Sequence, residues 1–266
     1  MRQMVKAALG VLKRRIGWPL SALWARTMAL GLRPPAFVGA WPDRATAIAH
    51  VPKGTPNSYD HDEIAPLNFA RMCETQIWDY PVLFWLDKIA HPGQTLLDAG
   101  GHFGTKYIAF RDRIDLSAIT WRVYDVPATV RAARRAQEAG QVPAGIDFVD
   151  DLAEAGAPDI MLASGLLQYL DIDFAELVAA LPRPPHSILL NKVATTDGPT
   201  VVTLEKIGAG RVPYQIRNRE TFERSLAEMG YRIRDQWEIP SLARSIATHP
   251  ERGHSTSRGY LLERLD

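Results

Sequence analysis

The stretch Leu96-Leu97-Asp98-Ala99-Gly100-Gly101-His102-Phe103-Gly104 decides the fold of this 266-residue chain. Its apolar beginning predicts a short buried strand, and its glycines predict a tight turn that leads into a helix. The glycines let the backbone approach a ligand closely, and the first N–H groups of the following helix lack partners within that helix. The stretch therefore predicts a ligand site at the end of the strand.

Short apolar runs alternate with helical stretches after this turn. We predict strands over residues 95–98, 121–125, 147–149, 159–163 and 187–191, with helices that include 127–138 and 174–181. A helix over 221–229 and strands over 231–237 and 258–263 end the pattern. Alternation of this kind builds a parallel sheet covered on both faces. The predicted fold class is α/β, with a Rossmann-like, seven-stranded, mostly parallel sheet and a helical N-terminal extension.

The N-terminal arm carries charges of one sign as far as Pro42: Arg2, Lys6, Lys13, Arg14, Arg15, Arg26 and Arg33. Apolar spacing predicts one helix from Val5 to Ile16 and a second from about Leu20 to Leu30. Two interpretations stay open. The helices pack on the main domain or on a second subunit of a homodimer, or they make peripheral contact with the anionic inner face of a membrane.

Residues 34–60 are rich in Pro, Gly, Asn and Asp, which favours turns and predicts a linker. We therefore divide the chain into a basic arm with its linker, residues 1–60, and a main domain, residues 61–266. Apolar residues between 62 and 90 predict two helices separated near Pro81.

Composition excludes several classes of function. The formal net charge of +1 argues against a nucleic-acid partner. Cys73 is the only cysteine, so the chain can form no intrachain disulfide and no cysteine-based zinc site. We expect a cytoplasmic protein with no membrane-spanning helix and no metal site.

Asp98 indicates the class of ligand. A dinucleotide would bring its pyrophosphate to this turn, where a carboxylate repels it, whereas S-adenosylmethionine (SAM) brings an ammonium and a sulfonium. The glycines also lack the G-x-G-x-x-G spacing of a dinucleotide site. We expect SAM to bind at Asp98, Gly100, Gly101 and Gly104; the alternative for Asp98 is a helix cap.

Further polar residues follow the later strands. Asp125 lies 27 residues after Asp98, in the position of an acid that binds both ribose hydroxyls. Asp150 is a candidate for the adenine amino group, or a helix N-cap. Ser164 and Gln168 follow the fourth strand and are expected to line the cofactor pocket.

The candidates for proton transfer are His102, Tyr169 and Lys192. An unperturbed imidazole titrates near neutrality, and the other two residues follow strands that end at the same crevice. Each has a structural alternative: local hydrogen bonding for His102, backbone contacts for Tyr169 and solvation for Lys192.

Several motifs resemble class I SAM-dependent methyltransferases, and in particular a group of bacterial methyltransferases commonly encoded among surface-polysaccharide genes. They are Phe37-Val38-Gly39-Ala40-Trp41, Ser58-Tyr59-Asp60, the loop from Asp98 to Gly104, Asp125 with Pro127, and Gly165-Leu166-Leu167-Gln168-Tyr169-Leu170. The resemblance implies SAM binding through Asp98, Gly100 and Asp125, with Tyr59 close to the pocket. The chain departs from the broad methyltransferase pattern at His102, where a further glycine is usual.

The leading hypothesis is an enzyme that transfers a methyl group from SAM to an oxygen or nitrogen of a small-molecule or carbohydrate-like acceptor, in surface-polysaccharide synthesis. The alternatives are a non-catalytic binding module and an NAD(P)-linked oxidoreductase. We expect residues 193–219 to form a flap over the acceptor, with Tyr214, Arg217 and Arg219 facing an anionic or sugar substrate.

Overall fold

The structure is a computed structural model that describes residue 13 and residues 17–29 and 34–265. Its helices are α1 (Trp18–Ala29), α2 (Arg44–Ala49), α3 (Phe69–Met72), α4 (Tyr80–Ile89), α5 (Thr105–Phe110), α6 (Pro127–Glu138), α7 (Phe174–Ala179) and α8 (Arg219–Glu228). Its strands are β1 (Phe37–Trp41), β2 (Thr95–Ala99), β3 (Thr120–Tyr124), β4 (Ile146–Val149), β5 (Ile160–Ser164), β6 (Ser187–Thr196), β7 (Val201–Ile207), β8 (Gly210–Asn218), β9 (Tyr231–Ile239) and β10 (Thr256–Arg264).

The central part of the sheet has the strand order β4-β3-β2-β5-β6-β10-β9. Strands β2 to β6 are parallel, while β10 runs antiparallel to both β6 and β9. This is the predicted α/β fold with the strand order of a class I methyltransferase sheet, formed by five parallel strands and a terminal antiparallel pair. Strand order reverses between β2 and β5, and in open parallel sheets the ligand crevice lies at that point.

The sheet has ten strands and not the predicted seven. The additional strands are β1, β7 and β8, and β8 joins the end of β6 through only two residue pairs. The region of the predicted flap, 193–219, consists of regular elements: β6 continues to Thr196, and β7 and β8 form an antiparallel hairpin. The run Val201-Val202-Thr203-Leu204 is rich in β-branched residues, and Gly208 adopts a φ of 57° in the two-residue turn.

The N-terminal segments differ in part from their prediction. Residues 34–60, predicted as an irregular linker, contain two regular elements. Strand β1 pairs with β7, and helix α2 follows β1. The predicted helix over 5–16 lies outside the described residues apart from Lys13, whereas α1 corresponds to the second predicted helix. The division of the chain at residue 60 stays a prediction.

Residues 62–90 contain less helix than predicted. The short α3 and one turn of 3-10 helix, Ile77–Asp79, precede the ten-residue α4. Pro81 lies in the first turn of α4, where its missing N–H costs no helical hydrogen bond.

Apolar side chains cover both faces of the central sheet. On one face, Leu96 and Trp121 of the strands pack with Leu86 of α4, Phe110 of α5 and the apolar side of α6. On the other face, Leu97 and Tyr260 of the strands pack with Leu177 of α7 and the apolar side of α8. Within the described residues, no helix has the length and apolar character needed to cross a membrane.

Candidate functional site

A cavity of about 160 Å³ lies at the carboxyl ends of the parallel strands. Of the predicted site residues, five line it: Tyr59, Gly100, His102, Asp125 and Tyr169. The structure thus brings together predicted residues from the linker and from the segments after β2, β3 and β5.

Glycines form the wall of the cavity where the backbone turns. Gly100 has a φ of 69°, donates its N–H to the Tyr124 carbonyl at 2.8 Å and leaves no room for a Cβ beside Leu166. A Cβ at Gly101 would lie 2.6 Å from Cγ of Asp98. Gly104 adopts a left-handed conformation as the N-cap of α5 and packs on Ile146, outside the cavity lining. The glycines thus allow the loop to fold closely around Asp98.

Asp98 is buried at the end of β2, and its Oδ2 has no hydrogen-bond partner among the described residues. Burial raises the pKa of Asp98 to about 7, against the opposing effect of the Lys106 ammonium. It does not cap a helix, since α5 begins after Gly104. An orphaned buried carboxylate oxygen is costly unless it meets a hydrogen-bond donor. The site therefore favours a ligand that brings a positively charged or hydrogen-bond donating group to this end.

The Asp125 carboxylate is held in a fixed orientation just after the neighbouring strand β3. Its Oδ2 accepts a hydrogen bond from the His102 N–H at 2.8 Å, and its Oδ1 accepts one from the Val126 N–H at 2.8 Å. Burial raises the pKa of Asp125 to about 6, although these two hydrogen bonds lower it. The Thr129 hydroxyl is a third donor to Asp125, and the fixed carboxylate keeps its remaining lone-pair capacity for a ligand hydroxyl.

His102 stands where a glycine is usual in the methyltransferase pattern, and its backbone conformation is one that favours glycine. Its φ is 56°, a left-handed conformation that glycine adopts without strain, and its ring stacks on Phe103 at 4.5 Å between ring centroids. Burial lowers the pKa of His102 to about 4, and Nδ1 has no partner in the described part of the chain. The ring is therefore neutral at pH 7 and a weak base.

Tyr169 lies in a cluster of polar and aromatic side chains on the far side of the cavity. Its hydroxyl donates to Oε2 of Glu205 at 2.6 Å, and its ring packs edge-on against Tyr59 and Tyr214. Burial raises the pKa of Tyr169 well above its ordinary value, and Tyr59 and Glu205 add to this effect. The phenol is therefore protonated at neutral pH and hydrogen-bonded to a carboxylate.

The Ser58-Tyr59-Asp60 motif reaches the cavity because it is hydrogen-bonded to α6. The Asp60 carboxylate accepts a hydrogen bond from the Ala128 N–H at 2.8 Å, in the first turn of that helix. This contact holds Tyr59 at the cavity, over the strand ends.

Sequence reasoning missed a buried ion pair beside the loop. Lys106 Nζ contacts both carboxylate oxygens of Asp79 at 2.8 and 2.9 Å, and both side chains are almost fully buried. Asp79 also accepts the Gln76 N–H at 3.0 Å. The two partners lie 27 residues apart in different elements, so no local pattern could have paired them.

Seven predicted residues lie outside the cavity lining: Asp98, Gly101 and Gly104 of the glycine loop, and the four that follow. Asp150 is exposed, while its neighbour Asp151 caps a 3-10 turn by accepting the Ala153 N–H. Ser164 accepts a hydrogen bond from Asn191 at 3.4 Å. Lys192 lies behind Gly165, and Gln168 lines a second cavity.

The second cavity, of about 330 Å³, adjoins the first and shares Arg44, Leu170, Asp171 and Ile172 with it. Its lining is mainly polar: Asp43, Gln168, Asp173, Glu176 and Gln215. Gln168 is buried, and its Oε1 has no hydrogen-bond partner in the described ranges. Arg44 was not predicted; it lies between the cavities and donates to the Tyr169 carbonyl at 3.1 Å.

The predicted acceptor residues of 193–219 have structural roles. Tyr214 packs on Phe37, Arg217 is buried next to Phe222, and Arg219 pairs with Asp197 at 3.4 Å. No cluster of metal-ligating side chains occurs within residues 13, 17–29 and 34–265.

No family model and no curated protein matches the sequence. Similar folds occur among solved structures. The 1,6-didemethyltoxoflavin-N1-methyltransferase of Burkholderia thailandensis is 20% identical over 71% of this chain and 79% of its own, with a TM-score of 0.47. The magnesium protoporphyrin IX methyltransferase of Synechocystis PCC 6803 is 17% identical over 70% and 77%, with a TM-score of 0.45. Likeness of this degree carries no conclusion about ligand or activity.

Proposed function

We propose that this chain is a SAM-dependent methyltransferase that acts on an oxygen or nitrogen of a small, hydroxyl-rich acceptor. The observation that carries the proposal is a pair of carboxylates, the buried Asp98 and the half-buried Asp125, at the ends of neighbouring strands beside a glycine-walled cavity. Two carboxylates repel the pyrophosphate of a dinucleotide but suit a ligand with one cationic end and one diol.

The residues present fit SAM. The orphaned Oδ2 of Asp98 matches the cationic amino-acid end, and the remaining lone-pair capacity of Asp125 matches the ribose hydroxyls. Gly100 and Gly165 leave space for the backbone to approach the ligand. When bound, SAM supplies an electrophilic methyl group on a sulfonium.

In the proposed enzyme, Tyr169 removes the proton from the acceptor. The Tyr169 oxygen accepts the proton of the acceptor hydroxyl while its own proton passes to Oε2 of Glu205, which lies 2.6 Å away. His102 is a weak base, and Lys192, which adjoins Gly165, is absent from the lining of the second cavity. Tyr169→Phe should therefore lower turnover at least tenfold and leave SAM affinity unchanged. Loss of SAM binding in this variant would contradict a role in proton transfer.

The second cavity supports a carbohydrate-like acceptor. Carboxylates and amides accept hydrogen bonds from hydroxyls, and the buried Oε1 of Gln168 needs such a donor. The acidic lining disfavours a phosphorylated acceptor. A place in surface-polysaccharide synthesis is supported by the sequence resemblance.

Calorimetric titration with SAM, S-adenosylhomocysteine and NAD tests the cofactor. We expect micromolar binding of the first two and none of NAD, with affinity lost in Asp98→Asn and Asp125→Asn. Asp112→Asn is the matched control, because the Asp112 side chain is 81% exposed. NAD binding in place of SAM would support the oxidoreductase alternative. SAM binding without transfer to any acceptor would support the non-catalytic module.

We also propose that the arm contacts an anionic membrane surface at the cytoplasmic face. Leu20, Leu23 and Trp24 form an exposed apolar stripe on α1, in a segment whose charges are all positive. The triple variant with serine at these positions should no longer float with phosphatidylglycerol vesicles. A dimer that the same variant dissociates would support subunit packing instead.

A further inference from the structure

Lys192 occupies an unusual place in the sheet. Leu190 pairs with Tyr260 and Val193 with Arg258, so Asn191 and Lys192 together face the single residue Gly259. This bulge places Lys192 at a φ of 62°. Residues other than glycine rarely adopt this left-handed backbone conformation. Bulges of this kind change the direction of side chains and are frequent beside functional sites.

The Lys192 ammonium is aimed at the back of the cavity wall. It lies 3.0 Å from the position that a Cβ of residue 165 would take, and Gly165 itself lines the cavity. The Gly165 N–H donates to the Asn191 carbonyl at 2.9 Å, which fixes this approach. Only a glycine at 165 leaves the ammonium free to reach toward a ligand.

Among the described residues, no carboxylate forms an ion pair with this ammonium, although Asp79 and Asp98 lie close enough to raise its pKa. Lys106 is paired with Asp79 through both carboxylate oxygens, whereas Lys192 makes no hydrogen bond and no ion pair with any described residue. Burial and the nearby Lys106 lower the pKa of Lys192 to about 8. Asp98, whose Oδ2 is also without a hydrogen-bond partner in the described chain, lies close enough to influence that pKa. Lys192 adjoins Gly165 of the cavity lining, and Asp98 adjoins Gly101 of the neighbouring loop, so an ammonium and a carboxylate lie close to each other next to the cavity wall.

We propose that Lys192 binds the carboxylate of the cofactor's amino-acid end, while Asp98 faces its ammonium. The inference rests on the proposed function and changes the role of Lys192 from a proton-transfer candidate to a cofactor-binding residue. A zwitterion satisfies both groups at once, because its two charges are complementary to theirs. The site thereby distinguishes a nucleoside with an intact amino-acid end from one that lacks the carboxylate.

The test is a calorimetric cycle on the full chain with two ligands, S-adenosylhomocysteine and its decarboxylated form. The wild type should bind the decarboxylated form about 10- to 100-fold more weakly, the range of a charge-assisted hydrogen bond. Lys192→Met should bind both ligands with the same affinity, and Lys192→Arg should restore part of the preference. Lys206→Met removes an exposed lysine on β7 and should behave as the wild type. Lys192→Asn serves if the methionine variant does not fold, since asparagine tolerates a left-handed conformation.

The outcomes separate the two proposals. If the wild type binds neither ligand, the proposed cofactor is wrong, and this inference fails with it. If S-adenosylhomocysteine binds the wild type and Lys192→Met equally well, the cofactor stands and the role of Lys192 is overturned. Equal losses for both ligands in Lys192→Met would show a structural role and would also overturn it.

Discussion

Replacing Lys106 by methionine tests whether the buried ion pair with Asp79 holds the segment before α4 against α5. The exposed fraction of the side chain is 7% for Lys106 and 0% for Asp79, so the variant leaves a carboxylate with little access to water. Breaking a buried pair by removing one partner costs about 3–5 kcal/mol. For a domain of this size, that corresponds to a fall in Tm of roughly 10 °C.

The assay is urea denaturation followed by tryptophan fluorescence, together with a thermal scan by circular dichroism. Lys88→Met is the matched control, because its pair with Asp87 at 3.4 Å is more than half exposed. An exposed pair contributes about 1 kcal/mol or less. Adding Asp79→Leu to Lys106→Met should recover part of the loss, since the unpaired charge is then removed. The reasoning is refuted if Lys106→Met is no less stable than Lys88→Met.

Three further predictions concern single side chains. The pKa of Asp98 is about 7 in the folded chain against 3.8 ordinarily, so the native state binds more protons between these values. The free energy of unfolding should fall as pH rises from about 4 to 7 and then level off; thermal scans of Asp98→Asn should lose the part of this slope above about pH 6 and keep part of it below, where Asp125, with a pKa raised to about 6, also contributes. Gly101→Ala places a Cβ 2.7 Å from Oδ2 of Asp98 and should abolish SAM binding in calorimetry, whereas Gly145→Ala, which meets nothing within 4 Å, should bind normally. Tyr231→Phe removes a buried 2.7 Å hydrogen bond to the Pro185 carbonyl and should cost about 1–2 kcal/mol in urea denaturation, while Tyr80→Phe, on an exposed residue, should cost nothing measurable.

The sequence predicted the elements whose pattern is local. The bounds of α6 match the predicted helix, because Pro127 marks its first turn and apolar residues recur along one face. Strands β2 to β5 were located to within a residue or two, since each is a short apolar run between turns. These elements carry Asp98 and Asp125, so the proposed cofactor side of the site could be predicted from the sequence.

The other side of the site depends on long-range pairing that the sequence does not display. β1 is a five-residue strand that pairs with β7, more than 160 positions away. Glu205 reaches Tyr169 only because the β7–β8 hairpin lies beside the cavity. The left-handed backbone of His102 and the bulge at Lys192 likewise follow from tertiary contacts that override local preference.

Strands β6 and β8 are joined by only two residue pairs, and the cavity lies between the parts of the sheet that they connect. Gly100, Asp125 and Gly165 of its lining follow central strands, whereas Val212 of the lining and Glu205, the partner of Tyr169, belong to the β7–β8 hairpin. The sequence of the hairpin can therefore change without moving Asp98 or Asp125, the two carboxylates of the proposed cofactor site. If the proposed function holds, engineering of new acceptors should begin with residues 201–218.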